Sequence, residues 1–125
     1  MQLELMTYHD KEVIDITDKI NGMLEGSGLI NIFVNHATAA VAMINLDLNT
    51  GNDLINAILT MNPGRKDNQA SDQKSFPEYF WSTIIGSSLT APFKDGKLIL
   101  GKSQRIVFIE LNGPRARGLT LTIIR

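Results

Sequence analysis

Two runs near the C-terminus, "RIVFIEL" at 105–111 and "LTLTIIR" at 119–125, are dense in β-branched and long apolar residues and flank the segment "NGPRARG". Runs of this kind, bounded by Gly, Pro and Asn, read as buried strands and commit this part of the chain to β-structure. Asn112-Gly113 is a common turn pair, so the simplest reading is a hairpin between the two strands. Reversing a chain does not call for Arg115 and Arg117, however, and their presence in the turn is a surplus that asks for another explanation.

The remaining pattern supplies the other layer. Leu3 and Leu5 about Glu4 open the chain with strand-like alternation. In "DITDKINGMLEGSG" the apolar residues Ile16, Ile20, Met23 and Leu24 fall on one helical face, and Gly26 and Gly28 end the helix. "LINIFV" reads as a strand, and "TAAVAMI" as a strand covered on both faces. Leu54, Ile55, Ile58 and Leu59 predict a second helix, stopped at Asn62-Pro63. The polar stretch "GRKDNQASDQKSFP" has no period and reads as a long loop, while "EYFWSTIIGSS" fits either a helix or a strand. "SLTAPF" and "KLIL" about Asp95-Gly96 complete the strands. Two or three helices among about seven strands, with no repeat or linker, predict one α+β domain over 1–125 with a mostly antiparallel sheet.

Charge is uneven. Residues 91–125 hold seven Lys or Arg against two acids, and residues 1–90 hold five against eleven, for a net charge of -1. The basic third can face an anion or pair with the acidic remainder. The near-neutral total and the lack of a stacking motif argue against a nucleic-acid binder. There is no cysteine, no apolar run of bilayer-spanning length and no leader-like start, so the expectation is a cytoplasmic protein with no membrane partner.

Three features carry candidate chemistry. His36 stands just after a strand, before Thr38, where a side chain can reach a cleft; a lone histidine there is more often a structural hydrogen-bonding residue than a ligand or base. With His9 the only other imidazole and no thiol, an ordinary zinc site cannot be assembled, and neither a metal nor a cofactor is expected. Arg115 and Arg117 beside Pro114 offer guanidinium forks for phosphate or carboxylate, and strand alternation would place both on one face. A salt-bridging turn explains them as well. Ser103 and Gln104 could add neutral hydrogen bonds.

The order "IFVNHATAA", "GSSLTAPFKDGKLILGKSQ", "ELNGPRARGLTLTI" resembles the YjbQ family, the secondary thiamine-phosphate synthase family, from about Gly28 onward. The resemblance implies an α+β fold, a homotrimer, and a pocket near subunit boundaries that in typical members holds histidines able to bind a metal; thiamine-phosphate synthase activity is associated with some members. It maps His36 onto the histidine of the first motif, Gln104 onto the glutamine of the second, and Gly113, Pro114 and Arg115 onto the last. It also shows departures: Tyr79 stands where the family has a histidine, Asn45, Ser103 and Asn112 where it has an acid, a tryptophan and an acid, and a further family histidine has no counterpart.

Losing imidazoles and carboxylates together removes the donors a divalent cation needs. The reading favoured by the sequence is therefore a trimeric small-anion-binding module with a degenerate active site, using Thr38, Gln104, Arg115 and Arg117 for the ligand. The alternative is a weak thiamine-phosphate synthase-type enzyme in which His36 handles a proton and Arg115 holds a phosphate.

Overall fold

A computed structural model describes residues 1–46, 50–61 and 76–125, with Phe76 described in its backbone alone. In chain order the elements are β1 (Gln2–Met6), β2 (Glu12–Asp15), α1 (Thr17–Asn21), β3 (Gly28–Val34), β4 (Ala39–Asn45), α2 (Thr50–Thr60), α3 (Phe76–Ile85), β5 (Ser88–Lys94), β6 (Lys97–Leu98), β7 (Gln104–Glu110) and β8 (Ala116–Ile124). The strands form a five-stranded sheet in the order β1-β8-β3-β5-β6 and a three-stranded sheet in the order β2-β7-β4. Every pairing is antiparallel, so the architecture is α+β with antiparallel sheets.

The four consecutive apolar residues of β7 explain how the layers stack. Successive side chains on a strand point to opposite faces. Ile106 and Phe108 enter one core with Ile30, Ile32, Phe93 and Leu121 of the larger sheet. Val107 and Ile109 enter a second core with Ile58 of α2 and Trp81 of α3. The small sheet is thus covered on both faces, and β4, at one edge of it, enters the same two cores through Val41 and Ala40 and is the doubly buried strand its composition predicts.

Three sequence expectations are corrected. β7 and β8 do not form a hairpin: they belong to different sheets, and residues 111–115 carry the chain from one layer to the other. β3 and β4, consecutive in the chain, likewise fall in different sheets. Turn residues mark where a chain changes direction and not which neighbour the next strand pairs with. The first helix is also shorter than its apolar stripe, ending at Asn21, although Ile16, Ile20 and Leu24 are all buried as that stripe requires. Just before it, β2 adds a strand in "EVID", whose residues are all half-buried and so show no period of two. In α2 the expected apolar stripe holds at Leu54, Ile55 and Ile58 but not at Leu59, which stays exposed.

The ambiguous "EYFWSTIIGSS" resolves as helix α3, with Pro77 in its first turn, where a missing N–H costs nothing. The Asp95–Gly96 turn between β5 and β6 is the predicted hairpin, both residues having positive φ. The expected helix stop at Asn62-Pro63 and most of the expected long loop lie outside the described residues. No helix among the described residues is long and apolar enough to cross a membrane.

Because Phe108 is fully buried between β2 and β4, Phe108→Ala is expected to cost about 3–5 kcal/mol of stability. Urea unfolding followed by circular dichroism measures it.

Candidate functional site

Where β7 ends, Glu110 is fully buried and must be paired to remain charged. Its Oε1 accepts hydrogen bonds from Thr7 Oγ1 at 2.7 Å and Arg117 Nε at 2.8 Å. Its Oε2 accepts from Arg117 Nη2 at 2.5 Å and from the backbone N–H groups of Leu111 and Asn112, each at 3.0 Å. Arg117, only 5% exposed, also donates from Nη2 to Thr38 Oγ1 at 2.9 Å and the Thr38 carbonyl at 3.2 Å. One bidentate ion pair therefore joins β7, β8, the end of β1 and the start of β4.

The pair sets the course of the turn. Thr7 N–H donates to the Arg115 carbonyl, the Arg115 N–H donates to Thr7 Oγ1, and the Gly113 N–H donates to the Asp10 carbonyl. A Cβ at position 113 would fall against the His9 carbonyl, Thr7 Oγ1 and Glu110 Cγ. Glycine is therefore required here by close approach rather than by hairpin geometry.

The two arginines consequently part company. Regular alternation starts only at Ala116, so Arg117 turns inward to Glu110, whereas Arg115 remains in the turn with an exposed side chain. Among the described residues no hydrogen bond or ion pair engages the Arg115 guanidinium.

His36 takes up the edge that β3 leaves open. β3 and β8 stop pairing at Val34 and Leu119, and the next free amide, Gly118 N–H, donates to His36 Nε2 at 3.2 Å. An accepting Nε2 carries the lone pair, so the proton of the neutral ring lies on Nδ1. Burial, then the charge of Arg117, hold the imidazole below its ordinary 6.5, with Arg115 adding to the effect and Glu110 only partly offsetting it. The ring borders a cleft of about 310 Å³ shared with Ala39, Ser82, Thr83, Gly86 and Ser87. Ser82 Oγ donates to the Ala37 carbonyl at 2.7 Å and thereby ties the end of α3 to the His36 loop. A Cβ at Gly86 would meet only open space, so the cleft is unfilled there.

Comparison with known proteins follows from this geometry. A family profile described as UPF0047 protein YjbQ-like matches residues 1–125. The chain belongs to the YjbQ family. It is 32% identical over 119 residues to a UPF0047 protein of Archaeoglobus fulgidus, covering 94% of each chain. A YjbQ/UPF0047-family crystal structure from Clostridium acetobutylicum superposes with a TM-score of 0.87 at 28% identity, covering 99% of each chain. A conserved hypothetical protein from Thermus thermophilus gives 0.91 at 25% identity, again with 99% of each covered.

Within this YjbQ fold the sequence-predicted residues divide into two places. His36, Thr38, Arg115 and Arg117 come together around Glu110. Gln104 does not join them: it opens β7 opposite Asn45, six residues before Glu110, about 20 Å away at the ~3.3 Å rise of a strand. Its Oε1 accepts the Gly101 N–H at 2.7 Å, which is a turn-stabilising role. Ser103, beside it, is exposed. Tyr79 lies one turn before Thr83 on α3 and is 37% exposed, so it does not plug the cleft.

Trp81 lies elsewhere, in the second core, its Nε1 donating to the Met61 carbonyl. The residues around His36 do not fit a divalent cation: its described neighbours in the cleft are hydroxyls and backbone, and Glu110 is saturated by Arg117, Thr7 and two amides. Among the described residues no three His, Asp or Glu side chains converge.

Glu110 and Thr7 went unnoticed as site residues in the sequence. A carboxylate ending an otherwise apolar strand, seven residues before an arginine, was the available signal for the first; Thr7 had none.

Burial pushes the Glu110 carboxyl up, but the hydrogen bonds from Arg117, Asn112 and Thr7 outweigh it and hold it below its usual 4.5. Both shifted groups therefore withdraw stability toward acid: His36 as pH falls below about 6.5, where the unfolded imidazole takes a proton more readily, then Glu110 below about 4.5, where the unfolded carboxylate does so. Melting temperature against pH is expected to show both steps. His36→Gln removes the first and leaves the second, and Glu110→Gln, which strands Arg117, costs roughly 3–5 kcal/mol at neutral pH.

Proposed function

We propose that the protein is a trimeric module that binds a small anion through Arg115, with an active site that has lost its metal-assisted chemistry. The observation that carries this reading is the unequal fate of the two arginines. Arg117 is consumed in holding the turn, and Arg115 has a guanidinium uncommitted among the described residues, on a backbone pinned at both its N–H and its carbonyl by Thr7. A fork presented this way loses little further backbone freedom on taking a phosphate or carboxylate. Thr38 serves as support, since its hydroxyl is already given to Arg117, and Gln104 is too distant on the same chain to touch a ligand held there. The cleft beside His36 lies against the C-terminal end of α3, whose carbonyl-rich terminus repels an anion and receives donors. A ligand with its anionic end at Arg115 and hydroxyl or amine groups toward Ser82 and Thr83 suits both halves.

One observation favours the second reading, an enzyme of thiamine-phosphate synthase type. His36 is neutral near pH 7, lies beside an open cleft, and has its Nδ1 proton free of the Gly118 contact. Against it stands the lack of a second base or free carboxylate among the described neighbours.

Phosphate or pyrophosphate is expected to raise the melting temperature of the protein and of Lys102→Ala, an exposed distant control, but not of Arg115→Ala. Equal responses would reduce the effect to general ionic strength. Tyr79→His alone is expected to gain neither zinc affinity by calorimetry nor turnover, because a single added imidazole leaves the cation largely hydrated. Formation of thiamine phosphate by the unaltered protein, lost in His36→Ala, would move the assignment to the enzyme.

A further inference from the structure

Of the two imidazoles in the chain, His36 alone borders the candidate site, and its seat there suits only a neutral ring. The Gly118 N–H donates to Nε2 at 3.2 Å, which needs the lone pair of that nitrogen. A proton on Nε2 turns the acceptor into a donor, and two N–H groups then oppose each other. The charges around the ring press the same way. Arg117 of β8 and Arg115 of the turn repel an imidazolium, and Glu110 of β7, already shared among Arg117, Thr7 and two amides, offsets them only in part. The loop that carries the ring adds Asn35, Ala37 and Thr38, none of them charged. Glu4 of β1 stands opposite Gly118 across the other edge of β8.

A second seat lies across the cleft of about 310 Å³ that the ring borders. Ser82 and Thr83 of the last turn of α3, then Gly86 and Ser87, line it, and a Cβ at Gly86 would meet only open space. None of these residues is charged, so the field on that side is the carbonyl end of the helix, which favours a cation within its last turn. A neutral ring does best on the Gly118 N–H. A charged ring is repelled by that N–H and attracted by the helix end.

We propose that His36 is a proton-operated gate of the anion site: on protonation the ring leaves Gly118, turns into the cleft toward the end of α3, and adds a second positive charge to the field that Arg115 presents to the ligand. The inference rests on the anion-binding reading above and concerns the regulation of that site. Arg115 acts on His36 through space, so an anion that neutralises Arg115 eases protonation of the ring, and by linkage a protonated ring tightens the hold on the anion. Affinity therefore rises as pH falls below about 6.5, the ordinary value of an imidazole. Glu110 keeps its charge until the pH is below about 4.5, so Arg117 stays spent on it throughout that window.

Sulfate, a dianion throughout this range, is the probe, titrated by calorimetry at about pH 7.5 and about pH 5 with ionic strength held constant. The unaltered protein is expected to bind sulfate about fivefold more tightly at the lower pH, with a proton uptake that makes the heat depend on the buffer. His36→Gln, neutral at both pH values, is expected to bind equally at both. His9→Gln, at an exposed side chain on a different cleft, is expected to behave as the unaltered protein. In magnetic resonance spectra of the unaltered protein the Gly118 amide is expected to titrate together with the His36 ring, because it loses its acceptor. An affinity that ignores pH, an equal rise in His36→Gln, or a Gly118 amide that does not follow the ring overturns the gate and leaves the anion site standing. Sulfate binding that is undetectable at both pH values, or that persists unchanged in Arg115→Ala, overturns the anion site and the gate with it.

Discussion

The Glu110 carboxylate and the Arg117 guanidinium meet out of water at the point where the chain passes from one sheet to the other, and much of the structure hangs on their staying paired. Neither charge is tolerable there alone, because burying an unpaired ion costs several kcal/mol even after relaxation. The pairing is therefore a constraint on geometry as well as a source of energy. It requires β8 to present Arg117 inward, Thr7 to close the end of β1, and the amides of Leu111 and Asn112 to bend back over Oε2.

From that constraint the candidate site follows. With Arg117 neutralised, the fields left around His36 are those of the Arg115 guanidinium, which acts on the ring through space, and of the carbonyl end of α3 across the cleft. His36 is held between them by a backbone amide, which selects its tautomer, and by surroundings that keep it uncharged at neutral pH. The described neighbours of His36 in the cleft offer hydroxyls and backbone groups and no second imidazole or carboxylate.

How far this was legible depends on the range of the signal. The doubly buried character of β4, the Asp95–Gly96 hairpin and the apolar stripes around Ile20 and Ile58, the latter without the exposed Leu59, all report local periodicity and burial, and each appears in the structure. The turn at 112–115 misled because "NG" between two apolar runs signals a hairpin wherever the flanking strands are neighbours, and here they are not. Arg115 and Arg117 looked equivalent because alternation was extended back through residues that are not yet in a strand. Gln104 and Glu110 lie at opposite ends of one strand, and the order of motifs along a chain does not record the distance between their side chains.

By itself the sequence determined the α+β class, which elements carry apolar faces, the lack of thiols and the poverty of imidazoles, because these depend on residue identity and on spacing within a few positions. Only the tertiary structure decided which strands share a sheet, which arginine is spent on Glu110 and which keeps an exposed side chain. Those outcomes rest on contacts such as Thr7 with Glu110 and His36 with Gly118, between groups 103 and 82 positions apart, and no local pattern encodes a partner at that separation.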